Sequence, residues 1–368
     1  MNNPTPDDVR HMAHALVLAK RGLNTTDPNP RVGCVLVKDG KVVGEGWHER
    51  AGEPHAEAHA LQRAGAAARG ATAYVSLEPC CHQGRTSPCS QALIHAGVTR
   101  VVAAMPDPNP RVAGQGFAEL EQAGIRVDRG LLQADAERLN PGFISRITRG
   151  RPYVRVKLAA SLDGRTALAN GVSKWITGEP ARADVQRLRA RSSAILTGIG
   201  TVLADDPSLT VRGLDIGRQP LRVVVDGRLQ MQVTARMLGL AGKTLVVTSA
   251  AEGIAAEALR TAGAEVLSLP AADGSVDLNA LLRQLAKREV NEILVEAGTT
   301  LCGALLKAGL VDELIVYLAP HLLGDSARAM FNFPALTDMT GRIAIDVQDM
   351  RAVGKDWRIT AMVKNSPP

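Results

Sequence analysis

Two stretches decide the reading of this chain: GEPHAEAHALQRAG, from Gly52 to Gly65, and SLEPCCHQGRTSPCSQALIHAG, from Ser76 to Gly97. The first predicts a helix over Pro54 to Ala64, with a first-turn proline and a closing Gly65. The second predicts a helix over Pro88 to Ala96, with Ser87 as N-cap. His55 and Cys89 then sit at helix N-termini, where the positive end of the helix favours thiolate over thiol. Cys80 follows a predicted strand, Ala71 to Leu77, through Glu78-Pro79. Two helix starts and a strand end can converge on one ion. Zinc prefers Cys sulfur and His nitrogen, and a catalytic zinc site uses three protein ligands plus water. His55, Cys80 and Cys89 are the candidate ligands. Glu57, two residues after His55, would lie close to the ion without binding it, as a candidate proton carrier.

The cytidine-deaminase type of zinc site has the pattern H-x-E…P-C-x-x-C. His55-Ala-Glu57…Pro79-Cys80 matches it up to the last spacing, where eight residues rather than two separate Cys80 from Cys89. A closed structural site remains an alternative, with His82, Cys81 or His59 as fourth ligand. The order H-A-E-A-H is not the protease order H-E-x-x-H. His48 either touches substrate or caps a loop. Cys34, in the apolar run VGCVLV, and Cys302 read as buried packing residues. The hexapeptide Asp27-Pro-Asn-Pro-Arg-Val32 recurs as Asp107-Pro-Asn-Pro-Arg-Val112. It is either shared turn chemistry or a pair of stiff loops whose Asn side chains bond a substrate at one sheet end.

The rest of the chain bounds the function. With 368 residues and 45% hydrophobic content, two ordinary domains are expected. No apolar run approaches the ~18–20 residues that span a bilayer, and the N-terminus lacks a basic flank and an apolar core, so no membrane role and no signal peptide are expected. Five cysteines, two of them adjacent, do not form a disulfide framework and point to a reducing cytoplasm. The net charge of +6 suits phosphorylated small molecules or nucleic acid. The positive residues are dispersed and aromatics are only 3%, which favours the small molecule.

The chain divides near residue 150, into 1–149 and 150–368. Asn140 to Pro152, rich in Pro, Gly and charge, reads as a linker. The first part predicts a helix over Asp8 to Arg21 and a hairpin, Val32–Val37 and Lys41–Gly46, turned by Asp39-Gly40. Further on it predicts strands at Arg100–Met105 and from Arg126, with a helix over Gly116–Ala123. The second part predicts strands at Tyr153–Ala159, Ala194–Thr197, Leu221–Val225, Thr244–Thr248, Glu292–Val295 and Glu313–Leu318. Helices fall at Arg182–Ala190 and Leu278–Lys287. Both parts are α/β. Gly198-Ile-Gly200-Thr and Ala297-Gly-Thr-Thr300 are strand-to-helix turns that could face a phosphate, or ordinary turns; no G-x-G-x-x-G fingerprint is present.

Glu78-Pro-Cys-Cys-His-Gln-Gly-Arg-Thr-Ser-Pro-Cys89, with Pro54-His-Ala-Glu57 and Asp27-Pro-Asn-Pro-Arg-Val-Gly-Cys-Val-Leu-Val37, resembles the bifunctional riboflavin-biosynthesis deaminase–reductases. So do Lys157-Leu-Ala-Ala-Ser-Leu-Asp-Gly-Arg-Thr-Ala167, Trp175-Ile-Thr-Gly178, Thr201 to Arg212 and Glu296 to Leu301. The resemblance covers nearly the whole chain; Cys81 and Ser87 depart from the usual Ser and Pro. It implies a cytidine-deaminase-like α/β/α sandwich followed by a dihydrofolate-reductase-like α/β domain. It implies zinc-hydroxide deamination at C2 of 2,5-diamino-6-ribosylamino-4(3H)-pyrimidinone 5′-phosphate in the first domain. In the second, NADPH would reduce the ribosyl group to ribityl. By the same resemblance, Asn29, Asp107 and Asn109 contact the deaminase substrate. Ala159, Trp175, Thr201 and Asp205 contact NADPH, and Gly298, Thr299, Thr300 and Gly303 hold its phosphates. Ser173, Arg189, Leu209, Arg212 and Glu296 contact the reductase substrate, the two arginines being suited to a ribose phosphate. Read alone, Trp175 is a core residue and Arg189 and Arg212 are solvated surface. Lys157, a charge inside an apolar strand, receives no role. A homo-oligomer, dimer or tetramer, is a family expectation. Two rivals stand beside this reading: a nucleic-acid deaminase, which predicts C-x-x-C spacing and a basic stripe, and a non-catalytic zinc protein, which has no use for Glu57.

Overall fold

Asp39 and Gly40 both take positive φ, 50° and 72°, the geometry that lets two residues reverse a hairpin. They join β1 (Gly33–Lys38) to β2 (Lys41–Trp47). The computed structural model describes residues 4–81, 88–110, 112–214, 216–250, 253–333 and 335–364. Contacts divide the chain into two units, Met1–Gly150 and Arg151–Pro368.

In the first unit α1 (Pro6–Ala19) precedes the hairpin, closed at its start by a capping box between Thr5 and Asp8. After the hairpin come α2 (Ala56–Ala64), β3 (Thr72–Val75), α3 (Cys89–His95), β4 (Arg100–Ala103), α4 (Gln115–Gln122), β5 (Arg126–Arg129), α5 (Gln133–Leu139) and α6 (Pro141–Arg149). The sheet runs β2-β1-β3-β4-β5. Strand β1 is antiparallel to β2 and β3, whereas β3, β4 and β5 are parallel. One end of the sheet therefore gathers the entry to β1 and the exits of β2, β3 and β4. Gly44 and Gly46 let α2 lie close across β2: an added Cβ would stand 2.2 Å from the Ala60 carbonyl oxygen and 2.5 Å from that of Ala56.

The stretch read as a linker is a helix. Proline at the first helical position is compatible with helix, because its missing N–H has no intrahelical partner there. Phe143 and Ser145 turn inward, and Gly150 ends α6 at φ 64°. Pro and Gly, taken as loop signals, are here the two punctuation marks of α6.

The second unit contains β6 (Tyr153–Ser161), β7 (Arg165–Ala167), α7 (Glu179–Arg191), β8 (Ala194–Gly198), α8 (Ile199–Asp205), β9 (Leu221–Val225), β10 (Thr244–Thr248) and α9 (Ile254–Thr261). It continues with β11 (Ala264–Ser268), α10 (Leu278–Lys287), β12 (Glu292–Val295), α11 (Thr299–Lys307), β13 (Glu313–Ala319), β14 (Arg328–Ala329), β15 (Ile345–Val353) and β16 (Asp356–Val363). Its sheet order is β11-β10-β9-β8-β12-β6-β13-β16-β15. All neighbours from β11 to β13 are parallel; β16 runs antiparallel to β13, and β15 antiparallel to β16. The central strands are buried on both faces, as near-continuous runs such as AILT and EILV require. Ligands of open parallel sheets bind at the carboxyl ends of such strands.

Candidate active sites

In the first unit the donors meet. His55 is the N-cap of α2, in extended conformation (φ −76°, ψ 167°), and its side chain makes no capping bond. The spacing predicted it inside the first turn; the helix starts one residue later, which leaves the ring free to turn away. Cys89 is the first residue of α3, after Pro88 as N-cap; Ser87, expected to cap, lies outside the described residues. The His55 Nδ1 stands 3.6 Å from the Cys80 Sγ and 3.4 Å from the Cys89 Sγ. All three donor atoms lie within 4.8 Å of one another. A tetrahedral zinc with ordinary Zn–S and Zn–N bonds separates an N from an S ligand by about 3.6 Å. The donor set and its spacing fit zinc.

Two of the three candidate fourth ligands, Cys81 and His59, do not join. Cys81 turns to α4, its thiol 3.8 Å from the Gln115 Oε1. His59 is outside the cluster, its buried Nε2 without a hydrogen-bond partner. His82 lies outside the described residues. Among the described residues the cluster thus has three protein ligands, the number that leaves a tetrahedral metal one open position.

Glu57, in the first turn of α2, is buried beside the cluster but not part of it. Burial pushes its carboxyl up to about 7, and His55 pulls it partly back. The Cys80 thiol falls to about 4 because the Cys89 thiol and then His55 hydrogen-bond to its sulfur. Cys89 moves up, beside a Cys80 thiolate and with little water.

The sheet end brings the other candidates of this unit alongside. Asn29, ahead of β1, places its Nδ2 3.1 Å from the His48 Nε2. His48, after β2, has its Nδ1 3.1 Å from the Pro54 carbonyl oxygen. That carbonyl can only accept, so Nδ1 carries the proton and Nε2 accepts from Asn29. Burial lowers the His48 pKa, in keeping with this neutral ring. Its ring meets His55 edge to face at 5.2 Å. Asp107, after β4, accepts the Asn109 amide on Oδ1 at 2.8 Å. The repeated hexapeptide therefore stands twice at one end of one sheet.

In the second unit the candidates come from distant parts of the chain to the carboxyl ends of parallel strands. Ala159 is near the end of β6, and Thr201 and Asp205 lie in α8, directly after β8. Glu296 follows β12, and Gly298 is the N-cap of α11, with Thr299 and Thr300 in its first turn. Gly303 has another use: a Cβ there would stand 2.4 Å from the Asn332 carbonyl oxygen, so it serves close packing further along α11. Trp175 is not core. It is 71% exposed, under the Arg182 guanidinium at 4.7 Å. Its neighbour Lys174 pairs with Asp205 at 3.1 Å, and Ser173 lies in the same loop. Leu209 is buried.

The two arginines part company. Arg189 is not solvated surface: its Nε and Nη2 clamp Glu296 at 2.6 and 3.0 Å, and Nη1 donates to the Thr210 carbonyl at 3.0 Å. Arg212 is exposed and close enough to lower the Glu296 pKa. Lys157 faces the same carboxylate; burial lowers its pKa, Glu296 raises it and Arg189 lowers it. Lys157, Arg189, Arg212 and Glu296 form one cluster.

Glu78 carries no expected role in the sequence beyond its place in the motif before Pro79-Cys80, yet it is buried and accepts four backbone amides. The only signal was a charged residue between a strand end and a proline.

The family model for the cytidine and deoxycytidylate deaminase zinc-binding region matches residues 5–105. The model for the RibD C-terminal domain matches residues 152–359. The riboflavin biosynthesis protein RibD of Escherichia coli is 52% identical, over 95% of this chain and 97% of that protein. Its Haemophilus influenzae counterpart is 47% identical over 96% of each. A solved structure of Acinetobacter baumannii RibD superposes with a TM-score of 0.91 at 46% identity, covering 97% of this chain and 99% of that one. A Thermotoga maritima diaminohydroxyphosphoribosylaminopyrimidine deaminase/5-amino-6-(5-phosphoribosylamino)uracil reductase superposes at 0.87 and 33% identity, over 97% and 99%. With a zinc-fitting His-Cys-Cys cluster in one unit and the reductase architecture in the other, the chain belongs to the RibD family of bifunctional riboflavin-biosynthesis enzymes, which join a zinc-dependent deaminase to an NADPH-dependent reductase.

Proposed function

We propose that residues 1–149 carry the deaminase and 150–368 the reductase, with the roles divided as follows. His55, Cys80 and Cys89 hold zinc. When bound, zinc supplies a nucleophile from water at neutral pH. Glu57 moves the two protons of the attacking water in turn: the first goes to the pyrimidinone ring nitrogen as the oxygen adds to C2, and the second, from the hydroxyl then on C2, goes to the amine as its bond to C2 breaks. Ammonia departs and the ring keeps an oxo group. Asn29, Asp107 and Asn109 orient the diaminopyrimidinone, with His48 fixing the Asn29 amide. The observation that carries this reading is the meeting of three zinc donors with a buried carboxylate beside them.

In the second unit, bound NADPH supplies the hydride that converts the ribosyl carbon C1′ to the ribityl CH2. Ala159, Trp175, Thr201 and Asp205 bind the cofactor, and the start of α11 from Gly298 to Thr300 meets its phosphates. Ser173, Leu209 and Arg212 contact substrate. Arg189 holds the Glu296 carboxylate, and Lys157, a half-buried amine within the electrostatic reach of that carboxylate, carries the proton that opens the ribosyl ring. This refines the expectation for Arg189: Arg212 is the arginine left for the phosphate.

The substrate is a small phosphorylated pyrimidine, not nucleic acid; retention on RNA at physiological salt would contradict that. The cytoplasm is the proposed compartment, in keeping with five unpaired cysteines. No helix among the described residues is long and apolar enough to cross a membrane. A homo-oligomer, dimer or tetramer, is supported by edge strand β15, where Ile345, Val347 and Met350 are 49–58% exposed. Light scattering across protein concentrations tests it.

Product mass spectrometry tests the two reactions together. Incubation with the diaminopyrimidinone ribosyl phosphate should give the amine-to-oxo product without NADPH and the ribityl product with it. A chelator should stop the first step alone. No conversion by zinc-loaded protein would overturn the assignment of roles.

A further inference from the structure

We infer that Glu78 is a positioning residue of the deaminase: it locks the loop that orients the substrate to the turn that holds the metal. The inference rests on the roles proposed above for Asp107, Asn109 and Cys80. Glu78 is 3% exposed and two residues from Cys80. Its Oε2 accepts the amides of Asp107 at 3.1 Å and Gly114 at 3.0 Å. Its Oε1 accepts those of Gly116 at 3.0 Å and Phe117 at 3.3 Å. One carboxylate thus holds both ends of the 107–114 loop and the first turn of α4. Its own amide donates to the Met105 carbonyl at 3.0 Å, so the backbone before the loop is tied to the same residue.

A buried carboxylate is costly unless its lone pairs are used; four amides use them, and among the described residues no cation pairs with it. The arrangement also needs close approach. An added Cβ on Gly116 would stand 2.0 Å from the Pro79 carbonyl oxygen. Helix α4 thus sits directly on the Glu78-Pro79-Cys80 turn. Its other end of contact is Glu119, whose Oε2 accepts from the Ser90 hydroxyl at 2.6 Å and the Gln91 amide at 3.1 Å, beside Cys89. Through α4, the loop carrying Asp107 and Asn109 is registered against both cysteine ligands. Glu78 touches neither reactant nor metal. It acts through the loop.

The geometry makes a specific expectation. Glu78→Gln keeps the shape but turns a donor toward amide donors, so at least two amides lose their acceptor. Loop 107–114 should loosen while zinc stays. Because a misplacement of about 1 Å can cost up to ~100-fold, the deaminase KM should rise about tenfold or more. The zinc content and the reductase kcat and KM of the same chain should stay as in the wild type. Gly116→Ala, which pushes on the same junction without touching the carboxylate, should give the same split. Hydrogen exchange of the wild-type chain supplies a test that needs no variant: the Asp107, Gly114, Gly116 and Phe117 amides should be protected, and in Glu78→Gln they should exchange faster. Rapid exchange of these amides in the wild type would overturn the inference. So would loosened amides with an unchanged deaminase KM, or a loss of activity that only tracks loss of zinc. A wild-type chain without deaminase activity would instead overturn the site assignment, and this inference with it.

Discussion

The two units put their chemistry at sheet ends by opposite means. In the first, the candidate metal donors and the proposed proton carrier come from positions 55 to 89, on two helix starts and one strand exit. In the second, the cluster of Lys157, Arg189, Arg212 and Glu296 is gathered from four distant places by parallel strands and the helices between them. The first arrangement leaves a local motif in the sequence. The second leaves ordinary residues, each with a plausible bland reading, whose meeting only the sheet order shows. Local motifs are legible; convergence through topology is not.

The comparison predicts that the two activities separate cleanly, and several changes would break or sharpen that expectation. The largest effect is expected for the metal donors. Cys89→Ser should lose zinc and all measurable deamination while reduction of the deaminated intermediate continues; metal analysis with separate assays checks both. Parallel loss of reduction would show that the units are not independent. Next is Lys157→Met, which should lower the reductase kcat by about 10²–10⁴-fold, the ordinary yield of a positioned acid, with deamination untouched. Arg189→Ala should come third. It leaves Glu296 without its ion pair in a site where both side chains are 12% exposed, and should destabilise the second unit by about 3 kcal/mol, read by denaturant unfolding, with a weaker reductase. Smallest is Trp175→Ala, at a ring that is largely exposed and proposed to contact the cofactor. The KM for NADPH should rise several-fold with kcat nearly unchanged.

Much of the fold was legible where side chains state their own geometry. Asp39-Gly40 marked the hairpin, and the helix expected over Leu278–Lys287 has those bounds, with Asp277 as the N-cap that the structure adds. Boundaries failed where a residue serves two purposes. His55 belongs to the helix pattern, yet it is the cap, with its ring turned to the Cys80 and Cys89 sulfurs. Pro141 and Gly150 look like breakers, yet they bracket α6. Strands β11, β15 and β16 carry no clear signal in the sequence; in β15 the apolar residues Ile345, Val347 and Met350 fall out of step at the register shift after Val347, which hides the alternation that marks a half-buried strand. In the sites, the meeting of His55, Cys80 and Cys89, with Glu57 buried beside them, follows from the motif spacing. The place of Glu78 does not, since its partners are backbone amides, which leave no side-chain signature. The pairing of Arg189 with Glu296 escaped for a different reason: a single arginine on a helix looks the same whether it meets water or a buried carboxylate.

The central claim is that the first unit uses a catalytic zinc with Glu57 as its proton carrier, rather than a structural zinc. The most direct measurement is deamination by Glu57→Gln, with zinc content and NADPH-dependent reduction assayed on the same preparation. The account predicts unchanged zinc, intact reduction of the deaminated intermediate, and deamination lowered at least ~100-fold. Deamination at the wild-type rate with zinc in place would contradict it.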